Sequence, residues 1–255
     1  MYNDQLDKLN AQNSDMNIKQ SLKKVLFAIA RSPASSYFSG FAFQNLSDII
    51  PINKIIRDDK VVVFEHPSHF WKEHYLLVPK RNIRRFIDID FDSSNISEAI
   101  LQIFIVAQRL VVDNHIGKMS GNFGLLVNGG AYQDIPQVHF HLAAGKAKEG
   151  EGFVSNDYSP KTGKIIIQND ICTISENANP ERERDYIVIP NISLVSSFSE
   201  VNFNQSAWII IETLKTIQEL LTKLELPAFT IMVVGQDIAN IGKFNLRIVS
   251  GKRIG

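Results

Sequence analysis

Gln137, His139 and His141 alternate with Val138, Phe140 and Leu142 in the segment Gln133 to Lys146, QDIPQVHFHLAAGK. Successive side chains of a strand point to opposite faces, so the apolar set enters a core while Gln137, His139 and His141 share the other face. Two imidazoles side by side, next to the stretch Asn128, Gly129 and Gly130, suit nucleophilic or acid–base work. A neutral imidazole with one nitrogen tied to a backbone carbonyl offers the other as a nucleophile near pH 7. Metal binding is the competing chemistry. It needs a third and a fourth ligand, and although His74 could supply one, no spaced set of Cys or Glu accompanies the pair, so neither metal nor cofactor is expected.

The elements that must hold these side chains follow from hydrophobic periodicity. Short strands are expected at Lys60 to Glu65 (KVVVFE), His74 to Val78 (HYLLV), Phe123 to Val127 (FGLLV) and Val138 to Ala144. Between the second and third, Ser94 and Asn95 can cap a helix whose apolar stripe runs Ile96, Ala99, Ile100, Ile103, Ala107 and Leu110. The order strand, strand, helix, strand, strand is an α+β pattern built on an antiparallel sheet. A further helix is expected at Ile18 to Ala30, closed by Pro33.

Residues 149–163 (EGEGFVSNDYSPKTG) have the composition of a linker, and after them the pattern starts again. Strands are expected at Lys164 to Gln168, Ile171 to Ser175, Tyr186 to Ile189, Phe229 to Val234 and Phe244 to Val249, with a helix at Ser206 to Leu224. Phe123 to Lys146 set over Phe229 to Lys252 without a gap gives six identities in 24 positions, including Gly145 over Gly251. Background composition would give about one or two. HYLLVP (His74 to Pro79) likewise sits over DYIVIP (Asp185 to Pro190). The expectation is a helical extension at 1–35, a first unit at 36–148, the linker, and a second, similar unit at 164–255, the two units sharing a continuous sheet.

Composition excludes other classes. The chain has 255 residues, 44% hydrophobic and 21% charged, with one cysteine, which rules out disordered, collagenous and disulfide-stapled proteins. Lys+Arg and Asp+Glu both count 27, so no global field argues for nucleic acid or a membrane surface, and an anionic ligand needs a local site. Cys172, in an apolar run, reads as a buried, inert thiol. The polar N-terminus lacks a signal-peptide core and the apolar runs, such as Ile103 to Ala107, are short, so a soluble, cytoplasmic protein is expected. Trp71 and Trp208 read as packing residues, and Lys80, Arg81, Arg84 and Arg85 as a solvated basic cluster. All six histidines (His66, His69, His74, His115, His139, His141) lie in the first unit.

VNGGAYQDIPQVHFHLAAGK resembles the signature of the histidine triad superfamily, His-φ-His-φ-His-φ-φ with φ apolar, preceded by an Asn and by a Gln six residues before the central His. Asn128 and Gln133 take those places, His139 is the central histidine and His141 the last. Upstream, KIIRDDKVVVFEHPSHFWKEHYLLVPKRNI is similar to the superfamily's first half at Phe64, His74, Pro79 and Lys80. Three positions depart from the pattern: Gln137 stands for the first histidine, His66 for an acidic residue that holds ribose hydroxyls, and Asp134 for a phosphate-contacting Ser or Thr.

The resemblance implies a nucleotide hydrolase or nucleotidyltransferase. His139 would attack the α-phosphorus to give a covalent nucleotidyl-histidine. His141 and Gln133 would donate to phosphoryl oxygens, Gln137 would keep a hydrogen-bonding place in the catalytic set without carrying a proton, His74 would support the cluster, and Asn128, Phe64, His66, Gly129 and Gly130 would line the substrate site. Substrates of the dinucleoside polyphosphate or nucleoside phosphoramidate type are implied. In the second unit Lys243, Asn245 and Arg247 fall where Gln137, His139 and His141 stand, so no nucleophile remains. Lys243, Arg247, Lys252 and Arg253 are then either phosphate-facing or merely solvated. One active and one degenerate copy would make a monomer that imitates a homodimer. The alternative is a catalytically weak nucleotide-binding or partner-binding module.

Overall fold

The computed structural model describes residues 54–66, 70–113, 123–147, 161–192, 195, 197–234 and 243–254. The expected N-terminal helix, most of the linker, His69 and His115 lie outside them. Among the described residues ten strands are formed: β1 (Lys54–Arg57), β2 (Val61–Glu65), β3 (Trp71–Pro79), β4 (Phe123–Gly130), β5 (Phe140–Ala147), β6 (Thr162–Gln168), β7 (Cys172–Asn177), β8 (Arg182–Pro190), β9 (Ala228–Val234) and β10 (Leu246–Arg253). Two helices among the described residues join them, α1 (Ser94–Asp113) after β3 and α2 (Ala207–Leu224) after β8. A short 3₁₀ turn precedes each helix, at Phe86–Asp88 and Phe198–Glu200. The fold is α+β. β6 begins at Thr162, inside the segment expected to be linker.

All ten strands belong to one antiparallel sheet in the order β1-β2-β3-β5-β4-β9-β10-β8-β7-β6. Read from either edge toward the middle, both halves follow the same connection order, and they meet where β4 pairs with β9. In that pairing Leu126 faces Met232, the residue the sequence alignment sets over it. The aligned glycines agree as well. Gly145 has φ 84° and Gly251 φ 82°, a region that L side chains avoid, and each marks a register shift, of β5 against β3 and of β10 against β8. A Cβ on Gly145 would press on Lys72, and one on Gly251 on Glu183, each two residues before the aligned His74 and Asp185.

One sheet face carries both helices. Odd-numbered residues of β2 to β4 (Val61, Val63, Leu77, Leu125, Val127) and even-numbered residues of β5 (Phe140, Leu142) join Ile100, Ile103, Phe104, Ala107 and Leu110 of α1 in one core with Ile210, Leu214, Ile217 and Leu221 of α2. α1 starts at Ser94, and Ser93 precedes it, its carbonyl accepting the Ser97 amide at 2.9 Å; neither Ser94 nor Asn95 holds the capping position. By length and composition α1 would also qualify as a membrane span, yet its stripe is buried against the sheet. Cys172 is fully buried, and burial pushes its thiol up, as expected of an inert cysteine. Trp208 departs from expectation. It stands 65% exposed on α2 because it falls outside the helix's apolar stripe.

Candidate active site

The face opposite the helices holds the chemistry. His74 on β3 pairs with Ala143 of β5, and Leu76 with His141, so pleating brings His74 and His141 to one face beside Leu126 of β4. His139, 4% exposed, lies just before the first residue of β5. The His139 and His141 rings are 4.9 Å apart between centroids. The side-by-side imidazoles expected from the alternation are thus present.

Backbone geometry orients His139. Its Nδ1 lies 2.8 Å from the carbonyl oxygen of Gln137, so Nδ1–H donates and Nε2 is left with the lone pair. Asp134 Oδ1 sits 3.5 Å from that Nε2, on a side chain 52% exposed. A phosphoryl group approaching Nε2 must displace this carboxylate.

The two glutamines do other work than expected. Gln137 is fully buried, and its Nε2 donates 2.8 Å to the carbonyl of Arg81, tying the segment after β3 to the start of β5. Its Oε1 has no hydrogen-bond partner among the described residues. Gln133 spends its amide hydrogens on the carbonyls of Arg84 (2.6 Å) and Ile135 (2.7 Å). Neither Nε2 is free to meet a phosphoryl oxygen in this arrangement. Both glutamines hold the loop and strand that carry His139.

His74 Nε2 and His141 Nδ1 are 3.0 Å apart, a hydrogen bond whose direction follows the tautomers. His66 lies just past β2, where its amide donates to the His74 carbonyl at 2.8 Å, and its ring stacks on that of His74 at 4.1 Å with 5° between planes. Donor nitrogens of His66, His74 and His141 all lie within 4.8 Å of one another. Burial first, then the neighbouring His139, His74 and His66, push the His141 imidazole well below the usual histidine value, so it is neutral near pH 7. Sequence spacing joined His74 to the pair but gave His66 no part in it, since only the β2–β3 pairing brings the two together. Phe64 is buried in a small apolar cluster with Val62, Leu76 and Val78 on this face.

Gly129 and Gly130 make room for protein. Both belong to β4; a Cβ on Gly129 would enter the Phe229 ring, and one on Gly130, at φ 60°, would meet the Pro227 carbonyl. The close approach they allow is between β4 and β9. Asn128, on the same strand, accepts a hydrogen bond at Oδ1 from Thr230 Oγ1 at 2.7 Å, which leaves its Nδ2 hydrogens as the donors on offer.

Across the junction the aligned positions carry a different set. Where His74 and His141 meet in the first half, Asp185 and Arg247 meet in the second. Arg247 Nε donates 2.8 Å to Asp185 Oδ1, its Nη2 reaches Oδ2, and Nη1 lies 3.0 Å from Glu181 Oε2. Asn177 and the Glu181 amide complete the shell of Asp185, each at 3.0 Å. Arg247 is 4% exposed, so it is neither solvated nor free to face phosphate; the ion pair consumes it. A cleft of about 500 Å³ runs from Asn128 and Leu126 over Thr230 and Met232 toward Arg182 and Arg253.

The fold recurs in known proteins. No curated protein matches the sequence. Among solved structures, an ADP-glucose phosphorylase from Arabidopsis thaliana with bound ADP-glucose is similar over 84% of this chain and 81% of its own, at 12% identity and TM-score 0.57. A GalT-like protein from the same plant is similar over 79% of this chain and 77% of its own, at 14% identity and TM-score 0.52. A histidine triad protein from Clostridium difficile covers 41% of this chain with 88% of its own, at 24% identity and TM-score 0.36. The HIT domain family matches residues 48–148, the stretch that contains every histidine of the cluster. Residues 48–148 are therefore a HIT domain.

Proposed function

We propose that the protein transfers or hydrolyses a nucleotidyl group through His139. The observation that carries this reading is the bond from His139 Nδ1 to the Gln137 carbonyl, which leaves Nε2 as the nucleophilic atom. Nε2 attacks the α-phosphorus of a nucleotide, the bond from phosphorus to the leaving group breaks, and the leaving group departs with that electron pair. Water or another acceptor then attacks the nucleotidyl-histidine and returns Nε2 to its lone-pair form. His141, neutral and adjacent, supplies a hydrogen-bond donor to the phosphoryl oxygens as charge builds, a contribution of about 3 kcal/mol for one well-placed donor. Gln133 and Gln137 act as positioning residues.

The chain works as one active and one degenerate unit in this reading. The shared connection order, the pairing of Leu126 with Met232 and the matched glycines Gly145 and Gly251 support it. The group beyond the α-phosphate extends past Asn128 into the cleft, whose far wall comes from the degenerate unit and carries Arg182 and Arg253. A cleft of that size accommodates a second phosphorylated moiety, which favours substrates of the dinucleoside polyphosphate type over small phosphoramidates. The test is product analysis on both substrate types. Release of a nucleoside monophosphate, or its transfer to phosphate, supports the reading; tight binding without turnover supports instead a nucleotide-binding module.

A further inference from the structure

We propose that His66, His74 and His141 form a binding site for one divalent transition-metal ion of the zinc type. The three imidazoles come from the end of β2, from β3 and from β5, and their donor nitrogens gather within 4.8 Å. Zinc held by imidazole sits about 2.0–2.1 Å from each nitrogen, which in tetrahedral geometry places the nitrogens roughly 3.3 Å apart. His74 Nε2 and His141 Nδ1 are already 3.0 Å apart. A metal ion replaces the proton they share, and His66 turns to complete the set. Its ring is stacked parallel to that of His74, so the two edges run alongside each other and a rotation about the side-chain bonds brings the third nitrogen in.

The donor set selects the ion. Three neutral nitrogens without a carboxylate suit zinc, copper or nickel and disfavour magnesium and calcium, which take oxygen. Three protein ligands leave a fourth position for water or an anion. Ligation through His141 Nδ1 leaves His141 Nε2 as an N–H donor, so an occupied site fixes the tautomer that donates to an anionic ligand. His139 is outside the set and keeps its bond to the Gln137 carbonyl. His141 serves both readings while the nucleophile serves only one, so zinc retention and adduct formation on His139 are separate readouts and either can fail alone.

The experiment uses the full chain freed of metal with a chelator, then zinc titration by calorimetry and metal analysis after gel filtration. Cobalt substitution reports coordination number through its visible spectrum. The expected result is one zinc per chain, the spectrum of four-coordinate cobalt, and no uptake of magnesium. His66→Phe keeps an aromatic ring against His74 and is expected to weaken zinc at least tenfold, while its metal-free melting temperature stays close to that of the parent. His139→Ala is expected to keep the full stoichiometry. Absence of retained zinc, or equal retention by His66→Phe, overturns the site. If His66→Phe does not fold, His74→Phe and the cobalt spectrum of the parent decide the matter in the same way.

Discussion

The Nδ1 of His139 and the carbonyl oxygen of Gln137 are 2.8 Å apart, and this contact decides which nitrogen of the central histidine can attack. The carbonyl belongs to the residue that replaces the first histidine of the triad. Loss of that imidazole therefore does not remove the orienting bond, because the backbone supplies it whatever the side chain. Gln137→Ala is expected to lower stability by about 1–3 kcal/mol, through the buried amide that loses its tie to Arg81. It is expected to lower nucleotidyl transfer far less than His139→Ala. Paired denaturation and kinetic measurements check both.

Asp134 is the feature most opposed to catalysis. Its carboxylate lies 3.5 Å from His139 Nε2, where a negatively charged phosphoryl group must enter. On an exposed side chain the repulsion is about 1 kcal/mol, so Asp134→Asn is expected to raise kcat/KM roughly fivefold, mostly through KM. An equal or lower kcat/KM would mean that the carboxylate helps the reaction.

Thr230 links the two halves at the site. Its hydroxyl fixes Asn128 at 2.7 Å, and Thr230→Val removes that donor with little change of shape. Affinity for a nucleotide with a large leaving group is expected to fall about fivefold, the worth of roughly 1 kcal/mol of positioning, with little change in melting temperature. Isothermal titration on the parent and variant measures it.

The Arg247–Asp185 pair is a structural anchor of the second half. Removing Asp185 leaves the buried Arg247 with the Glu181 carboxylate as a partner, so Asp185→Ala is expected to cost about 3 kcal/mol. The double replacement Arg247→Met with Asp185→Leu removes both charges together and is expected to cost much less. A double-mutant cycle in urea reads the coupling.

Gly251 and Gly145 offer a direct test of backbone strain. Each holds a φ above 80°, and a Cβ on Gly251 would also collide with the Glu183 side chain. Alanine at either position is expected to destabilise by about 1–2 kcal/mol, measured as a lower denaturation midpoint at unchanged slope.

Much of this molecule was legible in the order of its residues, and the limits have physical causes. Short apolar runs in KVVVFE and HYLLV marked strands, and strict alternation in VHFHL set His139 and His141 on one face, because pleating has period two. Lys54–Arg57 escaped notice, since four residues with apolar side chains only in the middle show no period. His66 stands where the resemblance has a ribose-holding acid, and only the pairing between β2 and β3 reveals that it stacks on His74. Arg247 looked free until β8 set Asp185 beside it, and Gln133 looked available until the loop spent its donors on Arg84 and Ile135. In each case local chemistry named the side chain, and a partner distant in sequence decided what that side chain could do.

Intact-mass analysis of the full chain after brief mixing with a dinucleoside polyphosphate tests nucleotidyl transfer through His139 most directly. A mass increase of one nucleotidyl group per chain is expected, mapped by peptide sequencing to His139 and abolished in His139→Ala with the fold intact. Turnover without any such adduct, or an adduct that survives His139→Ala, would contradict it.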